Sequence, residues 1–158
     1  MSMPATTPVR DVMTSDVATL RPDQPIAEAA DALAAGRFGA MPVVDADGRF
    51  VGLLRDEDLI ASEARVHVPT YLMLLGTSVP VPGSMRRFEH ELHKFAGSTV
   101  AEVMDEEPRT VTSDATLEDV ATIIHEHGVN SIPVVDPSRK VVGVVARADI
   151  VRFIARTT

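Results

Sequence analysis

The chain has 158 residues, 45% of them hydrophobic and 24% charged, with a formal net charge of −8 and no cysteine. That length supports one ordinary domain, or two small halves that share a core. The acidic balance argues against a nucleic-acid or anionic-membrane surface, and the missing cysteines exclude disulfides, thiolate catalysis and Cys-ligated zinc.

Residues 1–13 carry no basic start followed by an apolar run, so no signal peptide is expected, and the longest apolar stretch, near 71–75, is too short to span a bilayer. The expected location is the cytoplasm. Residues 17–20 read as a short strand ended by Arg21-Pro22. Ile26, Ala29, Ala30 and Leu33 then fall at i, i+3, i+4 and i+7, the apolar face of a helix opened by Pro25 and ended at Gly36. Residues 40–45 and 49–54 are β-rich runs around Ala46-Asp47-Gly48, the pattern of a hairpin, and a second helix starting near Asp56 carries Leu59 and Ile60. An insert follows. In it Ser84 suits an N-cap, and Phe88, Leu92 and Phe95 stripe a helix that ends at Gly97. After the insert come a strand at 110–111, a helix at 117–126, a hairpin at 131–136 and 141–145, and a helix at 148–155. Thr116, three residues before Asp119, has the spacing of a capping box.

The second set of elements repeats the first. Pro42 falls on Pro133, an offset of 91 (133 − 42), and the same offset places Asp45 on Asp136, Gly52 on Gly143 and Asp58 on Asp149. Upstream it places Val9 on Val100, Met13 on Met104 and Thr19 on Thr110, with no gap between 9–60 and 100–151. Two copies are too few for a solenoid. Each alone has a size whose core is marginal, so the two are expected to close on each other about a pseudo-twofold axis.

The first copy carries Asp11-Val12-Met13-Thr14, Met41-Pro42-Val43-Val44-Asp45, and Gly52-Leu53-Leu54 followed by Asp58. The second carries Val103-Met104, Ile132-Pro133-Val134-Val135-Asp136, and Gly143-Val144-Val145 followed by Asp149. In these motifs the chain resembles the CBS domain in its tandem form, the Bateman module. The resemblance implies an α+β fold: two β-α-β-β-α repeats packed sheet to sheet. Repeat 1 is expected at 8–62, a helical insert at 63–99 and repeat 2 at 100–157. It also implies a regulatory module, not an enzyme and without a cofactor. Such a module holds AMP, ADP, ATP or S-adenosylmethionine in a cleft between repeats and signals to a regulated protein, often as a homodimer. Neither nucleic acid nor membrane is an expected partner. The alternative is a ligand-free structural dimerisation module with degenerate clefts.

A nucleoside site needs an apolar slot, free backbone groups for the base edge and an acceptor for the ribose diol. Pro42 and Pro133 donate no ladder hydrogen bond and leave neighbouring backbone groups free. Met41 and Ile132 are the expected walls, with Thr19 and Thr110 and their neighbours Ala18 and Arg109 facing the same slot. Asp58 and Asp149 read either as ribose acceptors or as acids that favour a helix's first turn. The family's usual hydroxyls before that Asp are missing: Arg55 and Glu57 stand in the first copy, Ala146 and Ala148 in the second. The first copy runs Asp56-Glu57-Asp58 while the second has Arg147, so the second is expected to be the better phosphate site. No metal is expected: His90 and His93 do not form His-Glu-x-x-His, and His125 and His127, two apart, cannot share a helix face.

Overall fold

A computed structural model of the chain describes residues 5–36, 39–62 and 98–157. After a 3-10 turn at Val9–Asp11 come α1 (Ile26–Ala35), β1 (Ala40–Val44), β2 (Phe50–Arg55) and α2, the helix at 56–62. Then follow α3 (Val100–Val103), α4 (Leu117–His127), β3 (Ser131–Val135), β4 (Val141–Ala146) and α5 (Arg147–Thr157). The readings made for Ser84, Phe88, Leu92, Phe95, Gly97, His90 and His93 lie outside the described residues, as do those for 71–75.

Each copy builds one antiparallel hairpin, β1 with β2 and β3 with β4, in the same register. Pro42 sits opposite Leu53 and Pro133 opposite Val144, and a bulge follows Val43 and Val134 alike. Alternation along the strands sorts the side chains by face. Met41 and Val43 join Leu20, Ile26, Ala29, Leu33 and Leu54 in one core, while Ile132 and Val134 join Leu117, Val120, Ile124 and Val145 in the other. Between the hairpins Ala40, Phe50 and Leu53 pack against Val135 and Val141, which is the sheet-to-sheet contact.

The leading segments exchange between the halves. Thr14 pairs antiparallel with Val144, and Asp105, its equivalent in the repeat (105 − 14 = 91), pairs with Leu53. Pro8 bridges Thr116 and Pro25 bridges Thr99, again as exchanged equivalents. Val9 is therefore buried in the core of the second copy and Val100 in that of the first. The sequence repeat and the structural half are different sets of residues. Each half is completed by the start of the other copy.

The expected strands at 17–20 and 110–111 reduce to single parallel bridges, Leu20 with Val43 and Val111 with Val134. Proline explains the shortfall. The Leu20 N–H donates to the Pro42 carbonyl and the Val44 N–H to the Leu20 carbonyl. The next rung would run from the nitrogen of Pro42 to the carbonyl of Ala18, and that nitrogen carries no proton. The second copy repeats this with Val111, Pro133, Val135 and the carbonyl of Arg109.

The capping box read from Thr116 is present. The Asp119 N–H donates to the Thr116 hydroxyl at 3.2 Å, and the Thr116 N–H donates to the Asp119 carboxylate at 3.0 Å. The Thr116 backbone N–H foremost, and the Thr116 hydroxyl after it, hold the Asp119 carboxyl below its ordinary value of 3.8. Thr116→Ala is expected to cost about 1 kcal/mol in urea unfolding at pH 7. A folded-state pKa that is lowered stabilises above the ordinary value and stops doing so as pH falls through the lowered one. The gap between wild type and Asp119→Ala is therefore expected to stay constant near neutrality and to close below pH 3.8.

Candidate functional site

Asp149 stands at the third residue of α5, with its side chain only 5% exposed. The Ala146 N–H donates to its Oδ2 at 2.8 Å, the Arg152 guanidinium to its Oδ1 at 2.8 Å, and the Thr14 hydroxyl to Oδ1 at 3.3 Å. Thr14 comes from the first copy and arrives through the crossed segment. A buried carboxylate costs free energy unless its lone pairs are matched, and three donors from two copies match this one.

Beside Asp149 opens a cavity of about 980 Å³. Asn130, Ser131, Ala146, Arg147, Ala148, Val151 and Arg152 of the second copy line one side, and Thr14, Asp16 and Gly39 of the first line the other. Gly39 and Asn130 are repeat equivalents (130 − 39 = 91), and each accepts the first N–H of the helix in its own copy, from Asp56 and Arg147. The cavity thus lies between the halves, with two arginines on its rim. A smaller cavity of about 220 Å³ adjoins it, lined by Asp11, Val12, Thr14, Asp149, Arg152, Phe153 and Arg156.

The equivalent place in the first copy is built differently. Arg55 donates through its backbone N–H and its guanidinium to Asp58, at 3.0 to 3.2 Å, and reaches Asp105 at 3.3 Å. The hydrogen bond it donates to Asp58 is the main reason the Arg55 guanidinium is held above its ordinary value. Asp105 stands where Thr14 stands in the other copy, Asp56 where Arg147 stands, and Ala61 where Arg152 stands (152 − 61 = 91). One cleft carries Arg147 and Arg152 on its rim. In the other, Arg55 is held between the carboxylates of Asp58 and Asp105.

The expected site residues are thus divided. Arg147 lines the large cavity, and Asp149 lies behind its rim. Thr110 does not share that slot. It lines a separate cavity of about 460 Å³ with Phe50, Val111, Val135 and Arg139. The crossing is the reason, because the hydroxyl beside Asp149 is supplied by the other copy. Met41 and Ile132 also depart from expectation. Ile132 has no exposed surface and Met41 is buried, since their strand positions face the helices and not the sheet-to-sheet side. Pro42 and Pro133 are buried in their hairpins, while Ala18, Thr19 and Arg109 are exposed on the segments that the prolines leave unpaired. The sequence reading did not assign Thr14 a role. Its signal was the motif Asp11-Val12-Met13-Thr14, which precedes the first strand in the family pattern. His125 and His127 are exposed at the end of α4, and among the described residues no three His, Cys, Asp or Glu side chains group as metal ligands.

The family model for the CBS domain matches twice, over residues 9–65 and 100–156. The chain is a CBS-domain protein. This CBS pair is 30% identical over 141 residues to the chloroplastic CBS domain-containing protein CBSX1 of Arabidopsis thaliana, covering 87% of the chain and 58% of CBSX1. It is 30% identical over 142 residues to the CBS domain-containing protein YhcV of Bacillus subtilis, covering 90% of the chain and 81% of YhcV. The chain spans less than two thirds of CBSX1 and of its chloroplastic relative CBSX2. The crystal structure of CBSX2 in complex with AMP superposes with a TM-score of 0.71 at 25% identity, over 96% of this chain and 98% of that one. The CBS pair of MJ0100, solved with 5′-methylthioadenosine and S-adenosyl-L-methionine, gives a TM-score of 0.69 at 25% identity, over 97% and 99%. Among the described residues no helix is long and apolar enough to cross a membrane.

Proposed function

We propose that this CBS pair is a regulatory module that binds an adenosyl nucleotide in the cleft beside Asp149. The observation that carries the reading is the cavity of about 980 Å³, shared by both copies and rimmed by Arg147 and Arg152. Its volume falls in the range of small-molecule sites, and guanidinium groups are well suited to phosphate. The AMP complex of CBSX2 and the adenosyl complex of MJ0100 supply the ligand class.

Regulation follows by linkage. A ligand held between the halves favours one mutual arrangement, and its differential affinity sets how far the equilibrium moves for a partner to sense. Calorimetry on the purified chain with AMP, ATP and S-adenosylmethionine is the test. Saturable heat with a micromolar to millimolar Kd is expected for AMP or ATP, about −8 to −4 kcal/mol. No heat and no melting shift with any of the three at millimolar concentration would sink the reading.

The runner-up is a ligand-free module that pairs with a second copy of itself. Its support is a set of exposed apolar side chains on α2 and α5: Ile60 at 66%, Val151 at 59% and Ile154 at 41%. Ile60 and Val151 are repeat equivalents (151 − 60 = 91), so a twofold partner could cover both. The clamped Arg55 of the first cleft fits this reading as well. A homodimer is compatible with nucleotide binding, so only the calorimetry separates the two.

A further inference from the structure

The side chain of Arg152 is shared between two tasks. It lines the large cavity, and its guanidinium also holds the Oδ1 of Asp149 at 2.8 Å. Thr14 and Arg152 line both the large and the small cavity, whereas Asp149 lines only the small one. The Arg152–Asp149 pair, with Thr14, is therefore the partition between the two spaces. Asp149 is matched on both oxygens and screened from the larger space. Arg152 is 56% exposed, and among the described residues its further tether is a 3.3 Å bond from its Nε to the Ala148 carbonyl, so its long stem leaves the guanidinium open to solvent.

We infer that Arg152 is the residue that sorts ligands by charge, acting as a replaceable plug on Asp149. The inference rests on the nucleotide reading above. A nucleoside with no phosphate must break the Arg152–Asp149 pair to present its diol to Asp149 and offers the displaced guanidinium nothing. A nucleoside phosphate breaks the same pair and receives the guanidinium on its phosphate. One carboxylate contact is exchanged for another anionic one, and Asp149 is opened to the large cavity in the same movement. The first copy has no such exchange. Its arginine, Arg55, holds Asp58 and Asp105 together and the position equivalent to Arg152 is Ala61.

The experiment compares adenosine and AMP by calorimetry on wild type, Arg152→Ala and Arg152→Lys. The wild type is expected to prefer AMP. In Arg152→Ala, adenosine is expected to bind several-fold more tightly than in wild type and AMP about tenfold more weakly, because the plug and the phosphate contact vanish together. Arg152→Lys is expected to keep part of the AMP preference, since charge remains while the planar fork is lost. If wild type binds both ligands and the AMP-to-adenosine ratio is unchanged in Arg152→Ala, the inference is overturned while the nucleotide reading stands. If adenosine and AMP weaken by the same factor, Arg152 is a structural brace and the inference is again overturned. If wild type binds neither, the nucleotide reading itself fails and takes the inference with it. An unaltered urea midpoint in Arg152→Ala, expected for a side chain more than half exposed, shows that the changes arise at the site.

Discussion

Gly143→Ala is expected to lower the melting midpoint by roughly 4–12 °C, the equivalent of about 2–3 kcal/mol for a chain of this size. A Cβ at Gly143 would lie 2.6 Å from the Met13 sulfur and 2.9 Å from the Thr14 carbonyl oxygen. The methionine can turn aside. The carbonyl cannot, because it accepts the Val144 N–H while the Thr14 N–H donates to the Val144 carbonyl, both at 2.9 Å. The added methyl group therefore pushes directly on the strand crossing that joins the first copy to the second. Gly52→Ala is expected to cost a similar amount, since its Cβ would meet Met104 and Asp105 at 2.6 and 2.9 Å in the equivalent crossing. Gly48→Ala is the control. It has nothing within 4 Å and only its positive φ of 80° to account for, about 1–2 kcal/mol. Its repeat equivalent, Arg139, already holds a φ of 67° with a full side chain. A Gly143→Ala midpoint within about 1 °C of wild type would mean that the crossing yields easily and contributes little to the packing of the halves.

Those two glycines also mark the limit of what the sequence let one read. The repeat, the hairpins, α1 and α4 and the Thr116 capping box were legible because each rests on local chemistry: a period, a turn residue, a cap. The crossing was not, because aligning one copy on the other always matches a leading segment to its own copy. A clue was present. Gly in the interior of a strand signals close approach by another backbone, and both copies carry it at the same place, in Gly-Leu-Leu and Gly-Val-Val. The expected strands at 17–20 and 110–111 shrink to single bridges for a related reason. Their β-propensity was read, but the neighbour they would pair with lacks an N–H at Pro42 or Pro133, and pairing is a property of two segments.

The candidate site was legible by residue type and not by grouping. Asp149 and Arg147 could be picked out because the motif and the charge contrast with Asp56-Glu57-Asp58 are visible in one dimension. The sequence puts Thr110 on the first strand facing the slot, whereas the hydroxyl that reaches Asp149 is that of Thr14. Met41 and Ile132 were drawn into the slot by proximity to proline. Strand alternation turns them the other way, a fact that needs the direction of one face and not only the period.

Asp149→Ala is expected to affect both stability and binding, and it separates the two meanings of that acid. In the folded chain the alanine leaves the Ala146 N–H without its buried acceptor, a loss of about 1–3 kcal/mol in urea unfolding. The exposed Arg152 adds little to that figure, since ion pairs at the surface contribute roughly 0–1 kcal/mol. Asp149→Asn keeps an oxygen for the Ala146 N–H and is expected to lose less stability, while removing the charge that a ribose diol and Arg152 both use. AMP affinity, measured well below the melting midpoint, is expected to fall about tenfold or more in Asp149→Ala, the loss of a charge-assisted hydrogen bond of about 1.5–3 kcal/mol. Asp58→Ala gives the contrast, because Asp58 is occupied by the backbone and side chain of Arg55 and that arginine keeps Asp105 when Asp58 is gone. Its AMP affinity is expected to match wild type. A destabilised Asp149→Ala that binds AMP as wild type does would reduce Asp149 to a helix cap. Equal AMP losses in Asp58→Ala and Asp149→Ala would instead make the two clefts functionally alike, despite one rim being basic and the other acidic.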